Sequence, residues 1–223
     1  MANIELQDLT AIIHGTSMYI TDPVKQFDLV HVETILKVNE VLPDTANWYV
    51  PNGSSIPPEI ADFFKARNIS MYPMSEEAIL KGTEDVFTQA KSNNVNETEI
   101  DVSMILLRSV MTKSNLSIVT DADKVYHIAY DYKLYPIKSN PKTYEFKAQL
   151  PFNGLTIPAG GNAKVKMTVI LPLDAKVNSD ATQGTVVGGQ TIQELMTPIT
   201  NVGRQVISFE YHNDPDFIIQ YHH

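Results

Sequence analysis

The sequence predicts a mainly β protein with two helices, an α+β chain in which antiparallel strands stack as a β-sandwich. Two observations lead to this prediction. Apolar and polar residues alternate along several segments, as in half-buried strands, and turn sequences rich in Pro, Gly, Asn and Asp separate those segments. The length of 223 residues and the hydrophobic fraction of 43% fit one globular domain, residues 1–223.

Residues 1–95 are predicted to mix strand and helix. The stretch to Ile20 fits neither period, whereas residues 27–38 alternate and predict a half-buried strand. A loop rich in Pro, Asn, Gly and Ser is predicted over 43–58. Pro58 suits the first turn of a short helix, because its missing N–H does no harm there.

A second helix is predicted to begin at Ser75 and to end near Ala90. Ser75 fits the N-cap position, and Glu76 and Glu77 lie where the helix dipole favours negative charge.

Residues 96–223 are predicted to be a β-rich sandwich part. The predicted strands are 100–111, 116–120, 124–135, 143–152, 163–171, 205–211 and 216–221. A long loop is predicted over 173–204, with a possible helical turn over 192–196. Loops of this length are usually functional. Its glycines, Gly184, Gly188 and Gly189, lack the lysine of a phosphate loop and predict a flexible contact segment.

The segment 155–172 resembles a phrase of immunoglobulin-like β-sandwich modules, in which a strand ends in Ile-Pro-Ala-Gly, turns, and continues as an alternating strand closed by Pro. Pro158 interrupts strand pairing, and Val165, Met167 and Val169 share one face. The resemblance implies an immunoglobulin-like or jelly-roll-like sandwich and transfers no catalytic or binding residue.

Charge and cysteine content restrict the classes of partner. The net charge of −9, without a basic stripe, argues against direct nucleic-acid binding. The chain has no cysteine, so it has neither disulfides nor thiolate metal sites. It shows no signal peptide and no apolar run long enough for membrane insertion, which predicts a soluble protein of a virion or the cytoplasm.

Two clusters could hold a metal ion. Asp121 and Asp123 follow an apolar run, an arrangement that binds divalent metal in many glycosyltransferases, although an Asp-rich turn between strands gives the same pattern. Near the C-terminus several residues could bind Zn²⁺ or form a turn and a tail: His212, Asp214, Asp216, His222 and His223. His14 and Ser17 place an imidazole beside a hydroxyl without a nucleophile elbow.

Trp48 and Tyr49 are the aromatic interaction candidates, because they lie in the predicted 43–58 loop. They could stack on a sugar or fill an interface, and Trp48 could equally be a core residue.

These patterns favour a non-enzymatic structural or assembly protein, most simply a virion component of a phage such as a capsid, decoration or tail-associated protein. Its partners would be itself or other structural proteins, and no cofactor is expected. The alternatives are a carbohydrate- or peptide-binding β-sandwich module and a metal-dependent, glycosyltransferase-like enzyme using Asp121 and Asp123.

Overall fold

The computed structural model describes most of the chain. The described residues are 2–42, 47–52, 56–66, 72–76, 79, 95–115, 117–119, 124–137, 140–152, 154–158, 163–186, 191–192, 195–199, 203–211 and 215–223.

Strands dominate these residues, and two α-helices accompany them, so the mainly β, α+β class is confirmed. The strands are β1 (Ala2–His14), β2 (Asp28–Val38), β3 (Asn47–Pro51), β4 (Met74–Ser75), β5 (Met111–Asn115), β6 (Ser117–Ile118), β7 (Val125–Leu134), β8 (Pro136–Ile137), β9 (Asn140–Gln149), β10 (Leu155–Thr156), β11 (Lys164–Ile170), β12 (Lys176–Val177), β13 (Gln183–Val186), β14 (Thr191–Ile192), β15 (Leu195–Ile199), β16 (Arg204–Tyr211) and β17 (Pro215–His222). The helices are α1 (Pro58–Ala66) and α2 (Val95–Ser109).

The strands form three sheets. The large sheet has the order β15-β16-β11-β1-β2-β7-β6, with β10 also on β1. The second sheet has the order β14-β13-β17-β9-β8, with β12 also on β17, and the small sheet has the order β4-β3-β5. β1 runs parallel to β10 and β11, and the remaining pairs are antiparallel. Antiparallel pairing therefore dominates the described sheets, as predicted, and the parallel pairs of β1 are the exception.

β1 is a long strand that the sequence left unassigned, and a β-bulge explains why. Its register with β2 shifts between Ile4 and Leu6. Ala2 and Ile4 are buried before the shift, and the odd-numbered residues Gln7, Leu9, Ala11 and Ile13 are buried after it. Since a bulge inserts one residue, the period-two pattern changes phase and neither half is long enough to be recognised.

The large and second sheets share one hydrophobic core. β2 contributes Val30, Val32 and Leu36, and β17 contributes Phe217 and Ile219. The rings of Phe209 on β16 and Phe217 on β17 lie 4.7 Å apart between centroids. Each such side chain stabilises the fold by about 1.5–3 kcal/mol when fully buried.

Residues 39–124 form an insertion between two paired strands. Lys37 and Val125 are partners in the β2–β7 ladder, and the Val38 N–H donates to the Lys124 carbonyl at 3.1 Å. The insertion carries both helices, the small sheet and most of a second apolar cluster, which includes Phe64 and Leu107. β1 and β2 lie inside the large sheet, between β11 and β7 from the later part of the chain.

The strand predicted over 100–111 is wrong, because residues 95–109 form α2. Ser103 and Leu107, four residues apart, are buried, whereas Val102 and Ile105 are exposed. This is helical spacing. A short apolar run such as Met104–Leu107 fits both periods, so its sequence alone does not separate helix from strand.

Residues 173–204 are not one long loop. They contain β12, β13, β14 and β15, and residues 191–192 and 195–199 are strands where a helical turn was predicted. β12 and β13 pair with β17, and β15 pairs with β16. These strands are short and exist because longer neighbours offer backbone partners, which is a tertiary effect.

The prediction of a continuous loop over 43–58 is also wrong, because residues 47–51 form β3. The helix predicted at Pro58 is confirmed as α1. Ser75 is the last residue of β4 and directly precedes Glu76, which is helical, as is Ile79, so the predicted helix start is confirmed. The rest of the helix predicted from Ser75 to Ala90 falls outside the described residues.

Candidate functional site

A buried aspartate at the start of β2 organises one end of the molecule. Asp28 is in phase with the buried face of β2, so its carboxylate enters the core. Burying a carboxylate is costly unless donors replace its water. Four donors are present, and they come from two chain segments far apart in sequence.

The first segment is the loop 15–27 between β1 and β2, hereafter the β1–β2 loop. The Ser17 N–H and hydroxyl donate to Asp28 Oδ1 at 3.1 and 2.6 Å. The Thr16 hydroxyl donates to the Phe27 carbonyl at 2.5 Å, and the Gln26 amide donates to the Ile20 carbonyl at 3.0 Å. The loop backbone is thereby fixed at both ends.

The second segment is the end of β17. The Tyr221 hydroxyl donates to Asp28 Oδ2 at 2.6 Å, and His223 Nε2 lies 2.9 Å from the same oxygen. Burial, followed by the charge of Asp28, raises the pKa of Tyr221 well above its usual value. Tyr221 therefore stays protonated and donates. The rings of Tyr144 and Tyr221 stack at 5.4 Å, and the His223 ring meets both edge-on.

The hydrogen-bond pattern assigns roles to the hydroxyl and the imidazole. Because the Asp28 carboxylate accepts, His223 carries its proton on Nε2, and Nδ1 is buried without a hydrogen-bond partner among the described residues. The Ser17 hydroxyl donates its hydrogen bond to the Asp28 carboxylate and not to an imidazole. The arrangement therefore lacks the serine–imidazole contact of a nucleophilic triad, and it fastens the β1–β2 loop to β17.

Two adjoining cavities open beside this network. The smaller, of about 230 Å³, is lined by Ser17, Met18, Gln26, Lys142, Tyr144 and His223. The larger, of about 500 Å³, shares Lys142 and His223 and adds mainly polar residues, among them Asn140, Asp180 and His222. The two cavities share Lys142 and His223, and we refer to them together as the Lys142 groove.

The β1–β2 loop also presents apolar side chains to solvent. Met18, Tyr19 and Val24 have exposed fractions of 47%, 82% and 76%. We call these three residues the loop patch. Scattered exposed apolar residues are ordinary, whereas here three lie within seven positions of one loop.

The interaction residues predicted from sequence lie elsewhere. Trp48 has an exposed fraction of 2%, and its ring lies 6.4 Å from that of Phe152 in the main core, so it is not a surface stacking residue. Tyr49 is partly buried, and its hydroxyl lies 3.4 Å from Glu76 Oε1. Gly184 is buried in β13 opposite Phe217, and not in a flexible loop, whereas Gly188 and Gly189 fall outside the described residues.

The metal candidates are not brought together where the structure can be described. Asp121, Asp123, His212 and Asp214 fall outside the described residues. Asp216 and His222 occupy opposite ends of β17. Across the described ranges, no group of three His, Asp or Glu side chains is arranged to hold a metal ion.

Asp28 and its partners were missed from the sequence. The available signal was that Asp28 is in phase with Val30, Val32 and Leu36, the buried face of β2. A carboxylate on an apolar face requires donors, but the donors Ser17 and Tyr221 are identified only by the fold.

A second titratable cluster lies on the outer face of the large sheet. His31 Nδ1 lies 2.7 Å from Asp131 Oδ1 on the neighbouring β7, and His31 Nε2 lies 3.3 Å from Glu33 Oε1. The hydrogen bond to Asp131 is the main cause that raises the pKa of His31, and Glu33 raises it further.

We expect His31→Gln to destabilise the protein more at about pH 5.5 than at about pH 8.5. Folding raises the pKa of His31, so its stabilisation is complete below the unfolded pKa of about 6.5 and is lost as the pH rises through the folded value. The pair is partly exposed, so the effect is at most about 1 kcal/mol. Urea unfolding at both pH values measures it, with His127→Gln on β7 as control. An equal destabilisation at both pH values contradicts the assignment.

No helix within the described ranges is long and apolar enough to cross a membrane. Comparison of the chain with protein-family models and with curated proteins gave no match in either case.

Proposed function

We propose that this protein is a non-enzymatic structural protein that works by assembling with copies of itself or with other structural proteins. The observation that carries the proposal is the loop patch. Its apolar side chains are exposed on a backbone that is held by the buried carboxylate of Asp28.

Fixing the loop matters for binding energetics. Ordering a loop on association costs free energy that subtracts from the affinity, and a loop already ordered in the free protein avoids that cost. Exposed Tyr and Met are also residue types enriched in protein interfaces. The buried polar network therefore suits a contact surface better than it suits a reaction centre.

We propose that the large and second sheets stack as a β-sandwich of the immunoglobulin-like or jelly-roll-like type. Their shared core, with Phe209 and Phe217 in contact between them, supports this arrangement. Such sandwiches serve capsid and adhesion proteins as well as many others, so the architecture is compatible with assembly and does not specify it.

The virion of a phage is the assembly that we propose. The absence of cysteine and the net charge of −9 are compatible with a particle protein. Sequencing the genes beside this one tests the proposal. Neighbours that encode capsid, portal or tail proteins support it, and neighbours that encode metabolic enzymes contradict it.

We expect the combined change Tyr19→Asp and Val24→Asp to weaken self-association strongly, because it places two charges in an apolar contact. Sedimentation of the wild-type protein between about 10 µM and about 1 mM should show association, weakened at least about tenfold in the variant.

Val41→Asp is the matched control. Val41 is also exposed, at 55%, but it follows the far end of β2 and lies away from the loop patch. It should associate as the wild type does. A wild-type protein that stays monomeric throughout contradicts self-assembly, and equal effects of the two variants contradict the assignment of the patch.

A further inference from the structure

The Lys142 groove carries a charge that the fold does not use. Lys142 lines both cavities, and its ammonium has no ion pair or hydrogen bond with any residue that the structure describes. The lysines Lys25, Lys37, Lys147 and Lys166 each lie within 4.0 Å of a carboxylate. Lys142 is exposed, so water solvates its ammonium in the free protein and the charge is accessible to the carboxylate of a partner.

None of the other described ionisable groups that line the groove forms an ion pair with this ammonium. Among the described residues that line the two cavities, Asp180 is the one carboxylate. It lies in the 3₁₀ turn Ser179–Ala181, in the larger cavity only. Asp28 lies beneath the smaller cavity, but its oxygens are occupied by Ser17, Tyr221 and His223. The exposed His222 adds a further hydrogen-bonding imidazole at the larger cavity.

The groove is continuous with the loop patch through one residue. Met18 lines the smaller cavity together with Lys142, and about half of its side chain is also exposed beside Tyr19. An exposed apolar side chain and an exposed lysine without an ion pair therefore line the same cavity at one end of the molecule. A complementary surface would place a carboxylate next to an apolar side chain.

We propose that the Lys142 groove and the loop patch together bind a segment of a protein partner in which acidic and apolar side chains alternate. This inference rests on the proposed assembly function and specifies the chemistry of its partner. Lys142 pairs with the carboxylate, and Met18 and Tyr19 contact the neighbouring apolar side chain. Charge complementarity of this kind contributes specificity and a faster association rate.

The test is titration of the full chain, labelled with ¹⁵N, with two matched blocked hexapeptides. One alternates leucine with glutamate, and the other alternates leucine with glutamine. We expect saturable shifts of the amide signals of Ser17, Met18, Gln26 and Lys142 with the acidic peptide, and binding at least about tenfold weaker for the neutral peptide.

Two variants complete the test. Lys142→Gln should weaken binding of the acidic peptide by about tenfold, to the level of the neutral peptide. Lys164→Gln is the control. Lys164 is exposed at the start of β11, the end of that strand farther from the β1–β2 loop. The Lys164→Gln variant should bind the acidic peptide as the wild type does. Equal binding of the two peptides, shifts that do not saturate, or an equal effect of the two variants overturns the inference.

Failure of the groove inference can be distinguished from failure of the proposed assembly function. If Lys142→Gln changes nothing while Tyr19→Asp with Val24→Asp strongly reduces sedimentation of the associated species, the groove inference fails and assembly stands. If Lys142→Gln changes nothing and the wild-type protein also stays monomeric, the groove inference and self-assembly both fail. Loss of self-association in Lys142→Gln identifies a second copy of the chain as the partner.

Discussion

Replacing Asp28 with alanine is expected to lower the free energy of unfolding by about 3–5 kcal/mol, the usual cost of removing one member of a buried charged network. The change leaves the Ser17 and Tyr221 hydroxyls and His223 Nε2 without their common acceptor. It also releases the β1–β2 loop from β17. Urea denaturation followed by far-UV circular dichroism measures the loss.

Two comparisons make this result specific. Asp28→Asn keeps the volume but replaces one acceptor oxygen with an amide donor, so it should also destabilise, by a smaller amount. Asp8→Asn changes an exposed carboxylate on β1 and should alter stability by no more than about 0.5 kcal/mol. If Asp28→Ala proves no more harmful than Asp8→Asn, the network does not hold this end of the molecule together.

Replacing Trp48 with alanine is expected to cost about 3–5 kcal/mol of stability, because it empties a large buried volume beside Phe152. The same burial means that the Trp48 ring offers no face to a sugar. Its fluorescence should therefore not respond to added oligosaccharides. Thermal unfolding measures the loss of stability, and fluorescence titration with oligosaccharides measures, independently, whether the ring binds a sugar.

Tyr49→Phe is the companion variant. Tyr49 is the next residue along β3 and is only partly buried, so loss of its hydroxyl should cost about 1 kcal/mol or less. A Trp48→Ala protein of unchanged stability would show that the ring is not in the core. Saturable quenching by a glycan would restore the carbohydrate-binding hypothesis.

The sequence predicted some elements well because their pattern needs no partner to be visible. β2 alternates without interruption over Asp28–Val38, and its buried face is the one predicted. β7, β11 and β16 were likewise predicted close to their observed bounds. In each case one face is packed against the core, and the polar–apolar alternation records that directly.

The failures share a different cause. The bulge in β1 changes the phase of alternation within one strand, and the run in α2 is too short for its period to be distinguished. The short strands β12–β15 have little pattern of their own. β12, β13 and β15 depend on β16 or β17 for pairing, and β14 depends on β13. Local sequence does not contain the partner, so it does not predict the strand.

The candidate site likewise depends on contacts and exposure that only the fold creates. Sequence reasoning selected Trp48 for its residue type and left open whether its ring lies at a surface or in the core, and the fold buries it. It set aside the pairing of His14 with Ser17, and the fold instead directs Ser17 to Asp28. The loop patch follows from no motif, because exposure is a property of the folded chain.

The sequence by itself determined the class of this protein, mainly β with helices, and most of its long strands, because period-two burial is a local property of the chain. Only the tertiary structure decided which strands pair, where residues 39–124 are inserted, and which polar groups meet. Those outcomes depend on contacts between residues far apart in the chain, such as Asp28 with Tyr221, whose partners no local pattern specifies.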